Sequence, residues 1–178
     1  MEKVAYQLKV TVRHTRPPIW RRLEIVNSST LAQLHEVLQI AMGWTDDHLH
    51  QFVVGGVTYG APGLDSEDEG GVRLDQLLRR PKDQLVYEYD FGDGWEHVVA
   101  LEKVVPVEPG RHRYPRVTGG RRACPPEDSG GVGGFHRMLA ILGDPEHPEH
   151  EDMLEWAGDD YDPEHFDIDE VNRLLHGR

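Results

Sequence analysis

LVYEYDFGDGWEHVVAL, residues 85–101, reads as two alternating arms around a Gly-Asp-Gly turn, with polar groups gathered at the tip. On the first arm Tyr87, Tyr89 and Phe91 share one face and Glu88 and Asp90 the other, because successive strand side chains point to opposite sides. On the second arm Trp95, His97, Val99 and Leu101 share a face, with Glu96 and Glu102 opposite. Gly92 and Gly94 offer the positive φ that a short hairpin loop needs, and Asp93 tolerates it. The stretch therefore predicts a β-hairpin carrying Asp90, Asp93, Glu96 and His97 about its turn.

Working outward, residues 4–12 alternate and predict a strand, Pro17-Pro18 interrupts, and residues 19–26 resume as a second strand antiparallel to the first. Thr30 with Gln33 matches a capping box, and Leu31, Leu34, Val37, Leu38 and Ala41 recur at helical spacing until Gly43 ends the helix. Residues 50–54 and 57–59 form a second hairpin about Gly55-Gly56. Residues 60–71 (GAPGLDSEDEGG) predict an acidic mobile loop, and residues 72–78 one short helical turn. Residues 106–134 predict a long irregular segment rich in Pro, Gly and Arg. The acidic remainder, 135–178, predicts helices over roughly 134–142, 148–157 and 167–175. Strands with one embedded helix, followed by helices, define an α+β class with a mainly antiparallel sheet and a helical C-terminal part. We read residues 1–178 as a single domain.

Composition limits function. A formal charge of −13 argues against a broad phosphate-binding surface, since non-specific nucleic-acid affinity comes from Lys and Arg neutralising phosphates. The arginines nevertheless cluster, at Arg13, Arg16, Arg21 and Arg22 and again at Arg111, Arg113, Arg116, Arg121 and Arg122. The single cysteine, Cys124, excludes an intrachain disulfide. The opening MEKVAYQLKVTV alternates like a strand and lacks the apolar core of a signal peptide, and no run approaches ~18 apolar residues. The expectation is a soluble, cytoplasmic protein without a membrane segment.

Six segments together resemble one family. They are YQLKVTVRHTRPPIWRR (6–22), LAQLHEVLQIAMGWTDDHLHQF (31–52), YEYDFGDGWEH (87–97), RRACPPEDSGGVGGF (121–135), DPEHPEHEDMLEWAG (144–158) and FDIDEVNRLL (166–175). In this order they are similar to the plasmid pRiA ORF-three-like proteins, also labelled "TnpR-like" insertion-element passengers. The resemblance implies a small α+β structure encoded on chromosomes, plasmids and mobile elements. It does not imply a resolvase, because the chain is acidic and offers neither an Arg-rich catalytic domain nor a recognition helix.

Two polar constellations invite chemistry. Asp46, Asp47, His48 and His50 follow the first helix, and His48 and His50, two apart on a strand, would face one side in a spacing zinc accepts. Asp90, Asp93 and His97 belong to the hairpin. If the two regions adjoin, His48, His50, Asp90, Asp93 and His97 are the candidate ligands of a divalent metal that activates water. Asp90, Asp93 and His97 are then the candidate catalytic residues. The competing reading makes TDDHLH a polar connection, Asp93 a turn residue and His97 a neighbour of Trp95. Cys124 beside Arg121 and Arg122 is a conceivable nucleophile, or a buried inert thiol. Glu127 and Asp128 are read as arginine partners or helix caps. His147 and His150, at i and i+3, do not form the HExxH pattern. DFG within YDFGDGW matches the kinase magnesium motif in letters only.

The first expectation is a non-enzymatic module that binds another protein, with no tightly bound cofactor. The alternatives are a metal-dependent hydrolase or nuclease using the His/Asp cluster, and nucleic-acid binding through Arg111, Arg113, Arg116, Arg121 and Arg122.

Overall fold

Strand alternation sorts the chain into a buried and a polar sheet face. The computed structural model describes residues 3–177. Strand β1 (Val4–Val12) buries Tyr6, Leu8, Val10 and Val12, while Gln7, Lys9 and Thr11 line the other side. Strand β2 (Trp20–Val26) pairs antiparallel to it and buries Arg21, Leu23 and Ile25. Helix α1 (Leu31–Met42) starts in the expected capping box, where Thr30 and Gln33 satisfy each other's backbone N–H. It ends at Gly43, whose φ of 107° only glycine adopts freely.

Next come β3 (His50–Val54), β4 (Val57–Gly60), β5 (Glu67–Asp68), a 3-10 turn (Glu69–Gly71) and α2 (Leu74–Leu77). The hairpin strands are β6 (Gln84–Tyr89) and β7 (Trp95–Pro106), followed by β8 (Arg116–Arg121), α3 (Gly131–Leu142), α4 (His150–Ala157) and α5 (Ile168–His176). The eight strands form one sheet in the order β5-β4-β3-β6-β7-β1-β2-β8, antiparallel throughout except for the β4–β5 pair. The architecture is α+β with a helical C-terminal part. Helices α1, α3 and α5 supply Leu34, Leu38, Phe135, Met138 and Leu175 to the same core as the strands. Burying each such side chain is worth about 1.5–3 kcal/mol. The opposite face carries cross-strand pairs such as Arg13–Glu96 and Arg22–Glu102.

Two expected loops contain structure. Within residues 60–71, β5 adds a parallel edge and the 3-10 turn folds Glu69 inward. Within residues 106–134, β8 pairs with β2, and α3 begins at Gly131. The sequence RVTGGR has weak strand propensity, but its glycines permit close approach. A Cβ on Gly120 would stand 2.5 Å from the Phe166 ring. The outer edge of β8 is closed by Asn172 of α5, whose amide oxygen accepts from Val117 N (2.8 Å) and whose amide nitrogen donates to Val117 O (2.9 Å). A side chain thus blunts an edge that would otherwise pair with another strand.

Arg21 ties these layers together. Buried beneath the Phe166 ring, it donates to Ala41 O and Met42 O at the end of α1, and to Trp20 O and Arg121 O. Burial pushes its guanidinium down to about 10, leaving it cationic at the carbonyl end of the helix, where the dipole is negative. Among the described residues no helix is long and apolar enough to cross a membrane.

Candidate metal centre

The α1–β3 connection is held by a closed ring of hydrogen bonds. Asp46 N donates to Gln39 Oε1 (2.8 Å), Gln39 Nε2 to the Tyr87 hydroxyl (2.8 Å), and that hydroxyl lies 2.7 Å from His35 Nδ1. His35 Nε2 closes the ring on Asp46 Oδ1 at 2.9 Å. With Gln39 donating to Tyr87, the phenol proton goes to Nδ1, so His35 is neutral with its proton on Nε2. Burial, reinforced by His50, pushes His35 below its ordinary range, in keeping with that state. The ring holds Asp46 in the left-handed region, φ 58°, and so aims the two residues that follow.

The hairpin tip differs from the expected one. Positive φ falls on Asp90 (63°) and Gly94 (70°), not on Gly92. Asp90 N donates to Leu49 O (2.8 Å), and Asp90 Oδ1 accepts from Gly92 N and Asp93 N. This Asx turn draws Asp90, expected on the polar strand face, inward until it is 6% exposed. Asp93 Oδ2 accepts from Gly130 N (3.1 Å), which binds the hairpin tip to the start of α3.

These two segments and the 122–130 loop converge on His48. Its Nε2 lies 3.0 Å from Asp128 Oδ1, 3.6 Å from Asp90 Oδ2 and 3.7 Å from Glu127 Oε2. In Asp90 and Glu127 the other oxygen is already held. Asp90 Oδ1 serves its turn, and Glu127 Oε1 accepts from the Tyr89 hydroxyl (3.0 Å), Thr45 N (2.9 Å) and the Thr45 hydroxyl (3.0 Å). Glu127 Oε2 is buried without a hydrogen-bond partner among the described residues. Burial and the Glu127 carboxylate raise the Tyr89 phenol, so it stays a donor. The ligand atoms of His48, Asp90 and Asp128 lie within 4.8 Å of one another. Donors around a divalent cation at ~2.0–2.2 Å stand at most about 4.4 Å apart, so a slight closure would let the three share one.

Of the five expected metal ligands, only His48 and Asp90 meet. Strand β3 begins at His50, so His48 precedes the strand and the two imidazoles diverge. His50 stacks on His35 (centroids 3.5 Å, 9°) and its Nε2 pairs with Glu69 Oε2 at 2.8 Å. His97 is fully buried, its Nδ1 3.0 Å from Tyr87 O and its Nε2 accepting from Trp44 Nε1 at 3.1 Å. Asp93 serves the α3 junction. Glu127 and Asp128, read as arginine partners or caps, join His48 instead.

A second group, His35, Asp46 and His50, also has its ligand atoms within 4.8 Å, but the hydrogen-bond ring already occupies His35 and Asp46. Its sequence signal was a buried polar pair, His35 and Gln39, one turn apart on an apolar helix. Burial drives the Cys124 thiol well above its ordinary value, which opposes a nucleophilic role. His150 Nδ1 bonds Ile141 O, while His147 Nδ1 accepts from Glu149 N, so the two imidazoles serve separate turns. In the arginine cluster, Arg111 pairs with Glu108 and Arg116 with Glu24. Arg122 pairs with Glu164, and Arg113 donates to His176 O.

Sheet, crossing helix and a His–carboxylate cluster at the loop end define an α+β domain with a candidate cation centre. The chain belongs to the family described as plasmid pRiA4b ORF-3-like protein, which residues 4–170 match. It is 38% identical to the uncharacterised protein y4hQ of Sinorhizobium fredii, over 95% of this chain and 89% of that one. It also superposes on the crystal structure of a protein of unknown function from Methanosarcina mazei Go1. That pair has a TM-score of 0.88 and 39% identity, over 96% of this chain and 99% of the other.

Proposed function

We propose that the protein binds a divalent cation between His48, Asp90 and Asp128 and uses it hydrolytically. The observation carrying this reading is the arrangement about His48 Nε2, where buried Asp90 and partly buried Glu127 have one oxygen fixed by the fold and the other turned toward the imidazole. One imidazole with carboxylates suits manganese or zinc. Bound there, the cation would lower the pKa of a coordinated water toward about 7, and Glu127 Oε2 is placed to take the proton. The charge of −13 disfavours polyanions, so a small ester or amide fits better than nucleic acid.

The test is elemental analysis and calorimetric titration with MnCl2 and ZnCl2, comparing wild type with His48→Ala, followed by 4-nitrophenyl ester turnover. One equivalent of metal lost in His48→Ala, with metal-dependent turnover lost in Glu127→Gln, is expected. Absence of saturable binding at millimolar metal removes the centre. Binding without turnover removes the hydrolase.

A protein-docking role is the second reading, favoured by α4, which buries none of its residues fully and exposes Leu154 and Trp156. A photo-crosslinker at position 156 should then capture a defined protein, and Leu154→Asp should abolish the capture.

A further inference from the structure

Between α3 and α4 runs a groove of about 420 Å³, lined by Asp128, Ser129, Arg137, Met138, Asp152 and Trp156, among others. The size falls within the range of small-molecule sites. Its floor is made by two features. Met138 is buried, and Gly134 carries no side chain because a Cβ there would meet Ser129 O at 2.1 Å. Its wall is α4, where Asp152 and Trp156 stand one turn apart on the same face. Met153 and Met138 add polarisable, adaptable surface.

Charge is unbalanced inside the groove. Its lining carries Asp128, Glu149 and Asp152 against the single Arg137, whose Nη2 is bound to Glu149 Oε2 at 2.5 Å. Asp128 turns one oxygen to His48 Nε2 at 3.0 Å, so Asp152 is the carboxylate left facing an apolar, aromatic cleft, with no further lining cation among the described residues to answer it. The buried Ser129 Oγ at its edge also lacks a hydrogen-bond partner among those residues. A carboxylate beside a half-exposed indole is the pairing that recognises an organic cation, through ion pairing and the negative face of the ring.

We propose that this groove binds a small organic ammonium ion with an apolar body, its charge between Asp152 and the Trp156 ring and its body over Met138 and Met153. The site goes beyond the metal reading and does not depend on it, although Asp128 stands at the mouth of both. Were both present, an ester or amide bearing a cationic amine would meet the metal-activated water with its charged end anchored.

Phenyltrimethylammonium is the probe, titrated by calorimetry against its neutral isostere tert-butylbenzene and against benzenesulfonate. The cation should bind saturably, with the isostere and the anion weaker by about 10-fold or more, the scale of a desolvated cation–π contact. Asp152→Asn and Trp156→Leu, both at exposed positions, should each weaken it about 5- to 10-fold, with far-UV circular dichroism unchanged. Asp90→Asn, which dismantles the metal centre at a residue outside the groove lining, should leave this affinity within about twofold. Equal binding of cation and isostere, preference for the anion, or indifference to Asp152→Asn would overturn the proposal. Capture of lysine-rich peptides in preference to phenyltrimethylammonium would also overturn it, by making the groove a peptide site.

Discussion

His97 Nε2 accepts the indole N–H of Trp44 at 3.1 Å inside the core, with Nδ1 bonded to Tyr87 O. The Trp44 contact requires a neutral ring, since a protonated Nε2 would face another donor, whereas Nδ1–H donates to Tyr87 O in either state. Burial accordingly pushes His97 down to about 4, well below the ~6.5 of a free histidine. The unfolded chain therefore binds the proton first. The stability this residue contributes is present above about pH 6.5 and is lost as pH falls toward 4. The full loss is about 3 kcal/mol, because each tenfold weakening of proton affinity is worth ~1.4 kcal/mol. Urea titrations at pH 7 and 4.5 should show a smaller difference in His97→Gln than in wild type. Equal differences would mean that His97 does not govern acid stability.

The cation proposed at His48 links to folding. At free metal about 100 times its Kd, binding adds about 2.7 kcal/mol, a Tm rise of about 5–10 °C for a chain of this length. Scanning fluorimetry with manganese or zinc should show that rise in wild type, its reversal by chelator, and its absence in Asp90→Asn.

Arg21 satisfies four backbone carbonyls from inside the core. Arg21→Met keeps much of the volume but leaves those acceptors without their donor, and about 3 kcal/mol or more of stability should go. Chemical denaturation measures it. A cost under about 0.5 kcal/mol, typical of a surface change, would show the carbonyls to be satisfied otherwise.

Gly131 has φ 72°, and a Cβ there would stand 2.6 Å from Asp93 O. Gly131→Ala should cost about 2 kcal/mol or more and part the hairpin tip from α3. Because Asp128 lies in the adjoining loop, metal affinity should fall with it. Unchanged affinity in a destabilised variant would show that Asp128 is held independently of this junction.

Tyr87→Phe removes the hydroxyl on which Gln39 and His35 converge. Leaving both polar groups buried should cost about 1–3 kcal/mol. The Asp46 turn should loosen too, and His48 with it, so titration calorimetry should report weaker metal binding than in wild type.

Much of the local structure was legible. The β6–β7 hairpin, the paired β1 and β2, and α1 with its capping box and terminal glycine stand where periodicity and end signals placed them. Strand β8 was hidden, because Arg-Val-Thr-Gly-Gly-Arg pairs for reasons outside itself: Phe166 needs the bare Gly120, and Asn172 closes the edge. The candidate centre was half legible. His48 and Asp90 stand among the metal ligands expected from the sequence, whereas Glu127 and Asp128 read as arginine partners or helix caps.

The sequence by itself determined strands β1 and β2, the β3–β4 and β6–β7 hairpins and the first helix, because these depend on steric and hydrogen-bonding preferences acting over a few neighbouring residues. Only the tertiary structure decided that His48 faces Asp128 while His50 turns to Glu69 and His97 vanishes into the core. That choice follows from strand order and register, and from left-handed turns at Asp46, Asp90 and Asp128. These are set by contacts between residues far apart in the chain, which no local pattern encodes.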